Sequence, residues 1–324
     1  MADIDLTMRD IYLARARIAP LVQKTPLVSS PELSELTGSE VTLKLECLQE
    51  TGSFKPRGAA NKIVSLNSAV RQRGVVTVSS GNHGRALAYV AQCLGLRAVV
   101  CLYEKVPANK RDATRKLGAE VIVKGSTYAE ASEEAFRLAE KEGLEMIHPY
   151  DDPVVIAGQG TIGLELLEEF PALDTVVIPL SGGGLLGGIA FTLKSADPKI
   201  HVVGVMMERG PAMVESLRAG RIVDIVEEPT LADALAGNLP PDQYAFKLVQ
   251  KTIDETVLVS EEEIAAAMAF SLKNHHLVVE GAGAVGIAAL MSGKIQHLGE
   301  HVAVVISGAN VDMPLLLRVV QDHL

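Results

Sequence analysis

After Gly74 the chain alternates short, uninterrupted apolar runs with longer segments of helical character, and this rhythm constrains the fold more than any other feature. Val75–Val78, Arg97–Leu102 and Val121–Val123 read as strands, and His83–Leu94, Ala108–Leu117 and Tyr128–Glu142 as the helices between them. Consecutive parallel strands need a long crossover, usually a helix. Strands covered on both faces lose polar alternation and become continuous apolar runs. The pattern therefore predicts βαβ units and a parallel sheet. From Pro153 a second series begins, with a helix through Glu169 and strands at Val176–Pro179, Val202–Met207, Val257–Val259 and Val302–Ile306. Ahead of both, Thr7–Leu21 has helical spacing at Ile11, Leu13 and Ile18, and proline stops it at Lys24-Thr25-Pro26. Val41–Leu45 alternates like a strand. The expectation is an α/β protein with two open, helix-covered parallel-sheet modules, the N-terminal segment packing on the second.

Composition agrees and excludes some partners. At 324 residues and 48% hydrophobic, the chain can bury one large or two moderate cores. Only 4% is aromatic, Trp is absent and glycines number 28, which suits closely packed helices on a sheet. A formal charge of −10 repels phosphate backbones, so no nucleic acid is expected. Cys47, Cys93 and Cys101 lack metal-ligand spacing and read as buried free thiols in a reducing compartment. Met1–Leu6 carries two aspartates and no apolar core, unlike a signal peptide. No run reaches the ~18 apolar residues a membrane span needs. A cytoplasmic protein without membrane contact is expected.

Four segments carry chemistry. In Gln49-Glu-Thr-Gly-Ser-Phe-Lys55-Pro-Arg-Gly, Lys55 follows a Gly/Ser loop at a helix start, with Pro56 suited to the first turn. A charged lysine is unfavourable at the positive end of a helix, and a neutral, nucleophilic amine removes the conflict. Position alone does not separate this from a solvated surface lysine. Ser79-Ser80-Gly81-Asn82-His83 lies at the carboxyl end of a strand and opens a helix, which suits a carboxylate as well as it suits an ordinary helix cap. Ser181-Gly182-Gly183-Gly184-Leu185-Leu186-Gly187-Gly188 follows another strand and reads as an anion cradle. Ile306-Ser307-Gly308-Ala309-Asn310 ends a further strand, where Ser307 either meets a ligand nitrogen or caps the next helix.

The glycine run also matches G-x-G-x-x-G through Gly182, Gly184 and Gly187, with Glu208 near the place of a ribose-binding acid. An NAD-linked oxidoreductase is therefore a competing reading. Gly281, Gly283 and Gly286 match the same pattern after Glu280, which shows how little it discriminates. No metal set stands out. His275 and His276 are adjacent and point to different helix faces, and Asp151-Asp152 before Pro153 reads as a turn and cap.

Taken in order, Lys24-Thr-Pro-Leu, Ser53-Phe-Lys55-Pro-Arg-Gly, Ser80-Gly-Asn-His, Ile156-Ala-Gly-Gln-Gly-Thr-Ile, the glycine loop and Ser307-Gly308 resemble the threonine dehydratase and serine racemase family, the fold-type II pyridoxal-phosphate enzymes. The resemblance spans nearly the whole chain. It implies a cofactor-binding domain from residues 1–73 plus 149–324 and a small mobile domain from 74–148, with pyridoxal phosphate in the cleft between them. Lys55 would hold the cofactor covalently and shuttle protons, with Phe54 beside it. Gly182, Gly183, Gly184 and Leu185 would cradle the phosphate, Asn82 would contact the phenolic oxygen, Glu280 would approach the cofactor and Ser307 would meet the ring nitrogen. Ser79, Gly81 and His83 would bind the substrate carboxylate. Ser80 would be a second proton carrier opposite the lysine, which leaves racemase activity open.

The implied reaction removes water from a β-hydroxy amino acid such as threonine or serine, with release of ammonia, in a homodimer. Met206 and Ala212 stand where relatives carry oxygen ligands, and neither side chain holds a hard cation, so no divalent site is expected there. Met206-Met-Glu-Arg-Gly210 and Thr230-Leu-Ala-Asp233 look more like the hydroxyectoine-utilisation dehydratase branch, so hydroxyectoine or a derivative is the alternative substrate. A non-catalytic amino-acid-binding module of the same fold is a third reading, opposed by the intact Lys55.

Overall fold

The computed structural model describes residues 5–79, 81–106 and 108–323. Among the described residues ten strands form two sheets: β1 Leu27–Ser29, β2 Glu40–Lys44, β3 Val75–Val78, β4 Ala98–Leu102, β5 Glu120–Val123, β6 Glu145–Met146, β7 Thr175–Pro179, β8 His201–Met207, β9 Glu255–Val259 and β10 His301–Val305. The larger sheet runs β1-β2-β10-β7-β8-β9 and the smaller β5-β4-β3-β6. Every pairing is parallel except β1 with β2. The α/β expectation holds, with the N-terminal strands on the larger sheet. Sequence patterning places eight strands within a residue or two. It passes over β1 and β6, of three and two residues, which are too short to show a period and exist through their partners β2 and β3.

The central strands bury their apolar residues on both faces, while the edge strands β1 and β5 are only half-buried. β3, β4 and β7 are buried throughout, as crossover helices on either side require. Helices Pro153–Glu169 and Lys55–Ser65 meet almost backbone to backbone: a Cβ on Gly158 would lie 2.5 Å from the Arg57 carbonyl oxygen. Asp152 caps the first of these helices, as its place before Pro153 predicts, by accepting from the Val154 and Val155 amides. Cys47 and Cys101 are buried, but Cys93 is exposed at the end of its helix, correcting the expectation of three buried thiols.

Beneath the Lys55 helix lies a buried ionic network that the sequence reading did not foresee. Arg57, Lys44 and Glu46 are 1%, 0% and 0% exposed. The Arg57 guanidinium donates to both Glu46 oxygens at 2.8 Å and to Glu165 at 2.6 and 2.8 Å. Lys44 Nζ sits 2.7 Å from Glu165 and donates to the Thr25 carbonyl at 2.6 Å. The adjoining carboxylates hold Arg57 charged despite burial, raising its pKa. Two cations thus face Glu46 and Glu165, with Glu169 3.6 Å from Lys44 as a third carboxylate, joining β2, the 46–48 turn, the Lys55 helix and the 153–169 helix. Removing one partner strands buried charge. Arg57→Ala is expected to lose about 3–5 kcal/mol of stability in urea unfolding, and a loss below ~1 kcal/mol would show the network to be dispensable.

Candidate active site

Lys55 opens its helix, with Phe54 as N-cap and Pro56 in the first turn. The preceding loop is tied to the end of β10: Phe54 N donates to the Ser307 carbonyl at 3.1 Å, Cys47 N to that of Ile306 at 2.8 Å, and Ser53 pairs with Gly308. Lys55 Nζ donates to the Pro149 carbonyl at 2.8 Å and lies 5.0 Å from the centroid of the Phe54 ring. Burial lowers the ammonium pKa to about 8, with Glu280 opposing the shift. An amine in this range passes between charged and neutral forms near neutrality.

The second segment sits where β3 ends and helix Asn82–Cys93 begins. Ser80 lies outside the described residues. Ser79 Oγ accepts from Gly81 N at 3.3 Å. The His83 ring is 3% exposed, donates from Nε2 to the Ile147 carbonyl at 3.1 Å, and is pushed by burial to about 3. It is therefore neutral, and its Nδ1 lone pair has no partner among the described residues. A neutral ring adds no positive charge to this turn, whereas the N-terminus of the helix presents free amides that favour an anion. Asn82 Nδ2 donates to Glu280 Oε1 at 2.7 Å, and its Oδ1 accepts from Asn310 Nδ2 at 2.6 Å. Glu280, 5% exposed, is raised by burial to about 7, against the Asn82 hydrogen bond.

The glycine loop follows β7 and starts helix Gly184–Ala196. Gly183 has φ of +89°, which a side chain would strain. A Cβ on Gly182 would lie 2.5 Å from the Tyr150 ring, and one on Gly184 2.7 Å from the Tyr150 carbonyl oxygen. The loop is thus bare backbone at a helix N-terminus, with Leu185 buried in the first turn. Ser181 Oγ is committed to the Leu235 carbonyl at 3.0 Å. Tyr150 follows Pro149, the partner of Lys55, so one short strap borders both the amine and the loop. Its hydroxyl accepts from Gln243 Nε2 at 2.9 Å.

The structure therefore brings together Phe54, Lys55, Asn82, His83, the glycine loop, Glu280 and Ser307, which are far apart in sequence. Sequence reasoning missed Pro149, whose contribution is a carbonyl oxygen that no side chain advertises, and Tyr150 and Gln243, which belong to no charged or glycine pattern. The arrangement fits a phosphate-bearing aldehyde cofactor. It has an amine of lowered pKa, a side-chain-free anion cradle, and the buried hydroxyls of Thr51 and Ser53, which lack partners among the described residues. Met206 and Ala212 are both buried in the core. In the cofactor-free protein, reductive methylation of Lys55 is expected to rise through a midpoint near pH 8 as the amine loses its proton, while exposed lysines respond near pH ~10. Peptide mass spectrometry across pH would show a common midpoint if the site leaves Lys55 unperturbed.

Comparison with known proteins agrees with this chemistry. The family model described as pyridoxal-phosphate dependent enzyme matches residues 18–308. An L-threonine ammonia-lyase of Thermotoga maritima is 46% identical over 319 residues, covering 98% of this chain and 79% of that protein. The structure of maize serine racemase matches with a TM-score of 0.92 and 34% identity over 99% of this chain and 98% of that one. The serine racemase of Dictyostelium discoideum matches with a TM-score of 0.89 and 36% identity over 95% and 99%. These matches set aside the dinucleotide reading of the glycine run. With a family model matched across most of its length and relatives this similar from end to end, the chain belongs to the pyridoxal-phosphate dependent enzymes.

Proposed function

We propose that this lyase removes water from a β-hydroxy amino acid, threonine or serine first among them, and that the product hydrolyses to a keto acid and ammonia. The observation that carries the reading is Lys55: an amine of lowered pKa, next to a bare-backbone anion cradle, on a chain whose relatives include a threonine ammonia-lyase. Gly182, Gly183, Gly184 and Leu185 would hold the cofactor phosphate through backbone N–H groups, with Asn82, Glu280 and Ser307 around its ring. The bound cofactor would supply the electron sink that stabilises negative charge at the substrate α-carbon. Lys55, as a neutral amine, takes the α-proton and then returns a proton to the departing β-hydroxyl, which leaves as water. The amides at Gly81–His83 receive the substrate carboxylate at the helix N-terminus.

The division into residues 1–73 plus 149–324 and a smaller mobile 74–148 body is part of the proposal. A separate four-stranded sheet, β5-β4-β3-β6, supports it. A homodimer is proposed on the family resemblance, and a cytoplasmic location on the three free cysteines. No described helix is long and apolar enough to cross a membrane.

The test is turnover by purified, cofactor-loaded protein of L-serine, D-serine, L-threonine and hydroxyectoine, scored by mass spectrometry for loss of water and ammonia. Turnover of threonine or serine supports the reading. Interconversion of serine enantiomers without elimination would make the protein a racemase, and dehydration of hydroxyectoine alone would move it to that branch. Lys55→Ala is expected to reduce elimination at least ~100-fold; full activity in that variant would remove the basis of the assignment.

A further inference from the structure

Four side chains around Asn82 form a hydrogen-bonded chain in which every donor points the same way. Arg85 Nη1 donates to Asn310 Oδ1 at 2.6 Å. Asn310 Nδ2 donates to Asn82 Oδ1 at 2.6 Å, and Asn82 Nδ2 donates to Glu280 Oε1 at 2.7 Å. The chain runs from a cation to a carboxyl group and links the two sheets' surroundings at each step. Arg85 and Asn82 stand on the helix after β3, whereas Asn310 follows β10 and Glu280 precedes the helix Gly281–Met291. Asn310 Nδ2 also donates to the Thr51 carbonyl at 2.8 Å, in the loop leading to Lys55.

A carboxamide can be turned end for end with little change of shape, so its neighbours decide which end is the donor. Arg85 has no acceptor and compels Asn310 to present its oxygen. Asn310 must then present its amino group to Asn82, and Asn82 in turn presents its own to Glu280. Aligned bonds of this kind polarise and strengthen one another. Asn82 Nδ2 retains a second proton.

We propose that Arg85 and Asn310 are positioning residues that set the orientation of the Asn82 carboxamide, so that an N–H and not a carbonyl is offered to the phenolic oxygen of the cofactor. The inference rests on the pyridoxal-phosphate reading above. Arg85 does not touch the cofactor in this account, and acts through two amides.

The test compares Arg85→Lys with Arg85→Met. Lysine, like arginine, has donors and no acceptor, whereas methionine can donate nothing to Asn310. Pyridoxal phosphate affinity is measured by equilibrium titration, and the visible absorption spectrum of the holoenzyme is recorded. Arg85→Lys is expected to keep the wild-type spectrum and an affinity within about twofold. Arg85→Met is expected to shift the absorption bands and weaken affinity about tenfold, and Asn310→Asp, which keeps the Arg85 charge but can only accept at both oxygens, to do the same. Equal spectra and affinities for Arg85→Lys and Arg85→Met would overturn the proposal, because a donor at position 85 would then make no difference to the amides. An Asn310→Asp holoenzyme indistinguishable from wild type would also overturn it. Wild-type protein that binds no pyridoxal phosphate would instead overturn the underlying functional reading.

Discussion

The bidentate grip of Arg57 on Glu46 and Glu165 is the interaction on which the rest of the site depends. Arg57 is two residues from Lys55, so the network fixes the first turn of the helix that carries the amine. Buried ion pairs are a poor source of net stability, since desolvation offsets much of their attraction. Their value is geometric. A guanidinium fork between two carboxylates permits few arrangements, and here one carboxylate lies in the turn after β2 and the other on the 153–169 helix. The near contact of Gly158 with the Arg57 backbone closes off sliding of the two helices along each other.

On that base the site combines opposing electrostatic demands. Lys55 is depressed to about 8 and Glu280 raised to about 7, both chiefly by burial. The charged form of each is disfavoured, while the carboxylate of Glu280 partly restores the charge of Lys55. His83 is driven the same way as the amine and stays neutral. Burial thus moves all three groups toward their neutral forms, His83 fully and Lys55 and Glu280 in part.

Much of this was legible in the sequence. Continuous apolar strands, helix-length crossovers and glycine-marked turns at strand ends located the loops that converge, because parallel sheets bring the carboxyl ends of their strands to one edge. Asn82, the glycine loop and Ser307 are in segments singled out that way; Lys55 was marked by a Gly/Ser loop at a helix start, and Glu280 by the resemblance. What stayed hidden were contributions without a sequence signature. The Pro149 carbonyl is backbone. Tyr150 and Gln243 look like any aromatic and any amide. The Arg57 network stayed hidden although Arg57 falls within the Lys55 motif, because Lys44 and Arg57 meet Glu165 only once the sheet is formed and the helices pack on it. The ionisation of His83 has no sequence signature either: the ring is neutral through burial.

The strap Ile147-His148-Pro149-Tyr150 has a mechanical consequence. It is the stretch by which the chain leaves the smaller sheet and returns to the larger one. The same few residues accept the Lys55 hydrogen bond at Pro149 and wall the glycine loop with Tyr150. A connection between the two sheets and a wall of the site are here one piece of backbone. Any shift of the smaller sheet that this connection carries reaches the peptide whose carbonyl accepts from Lys55.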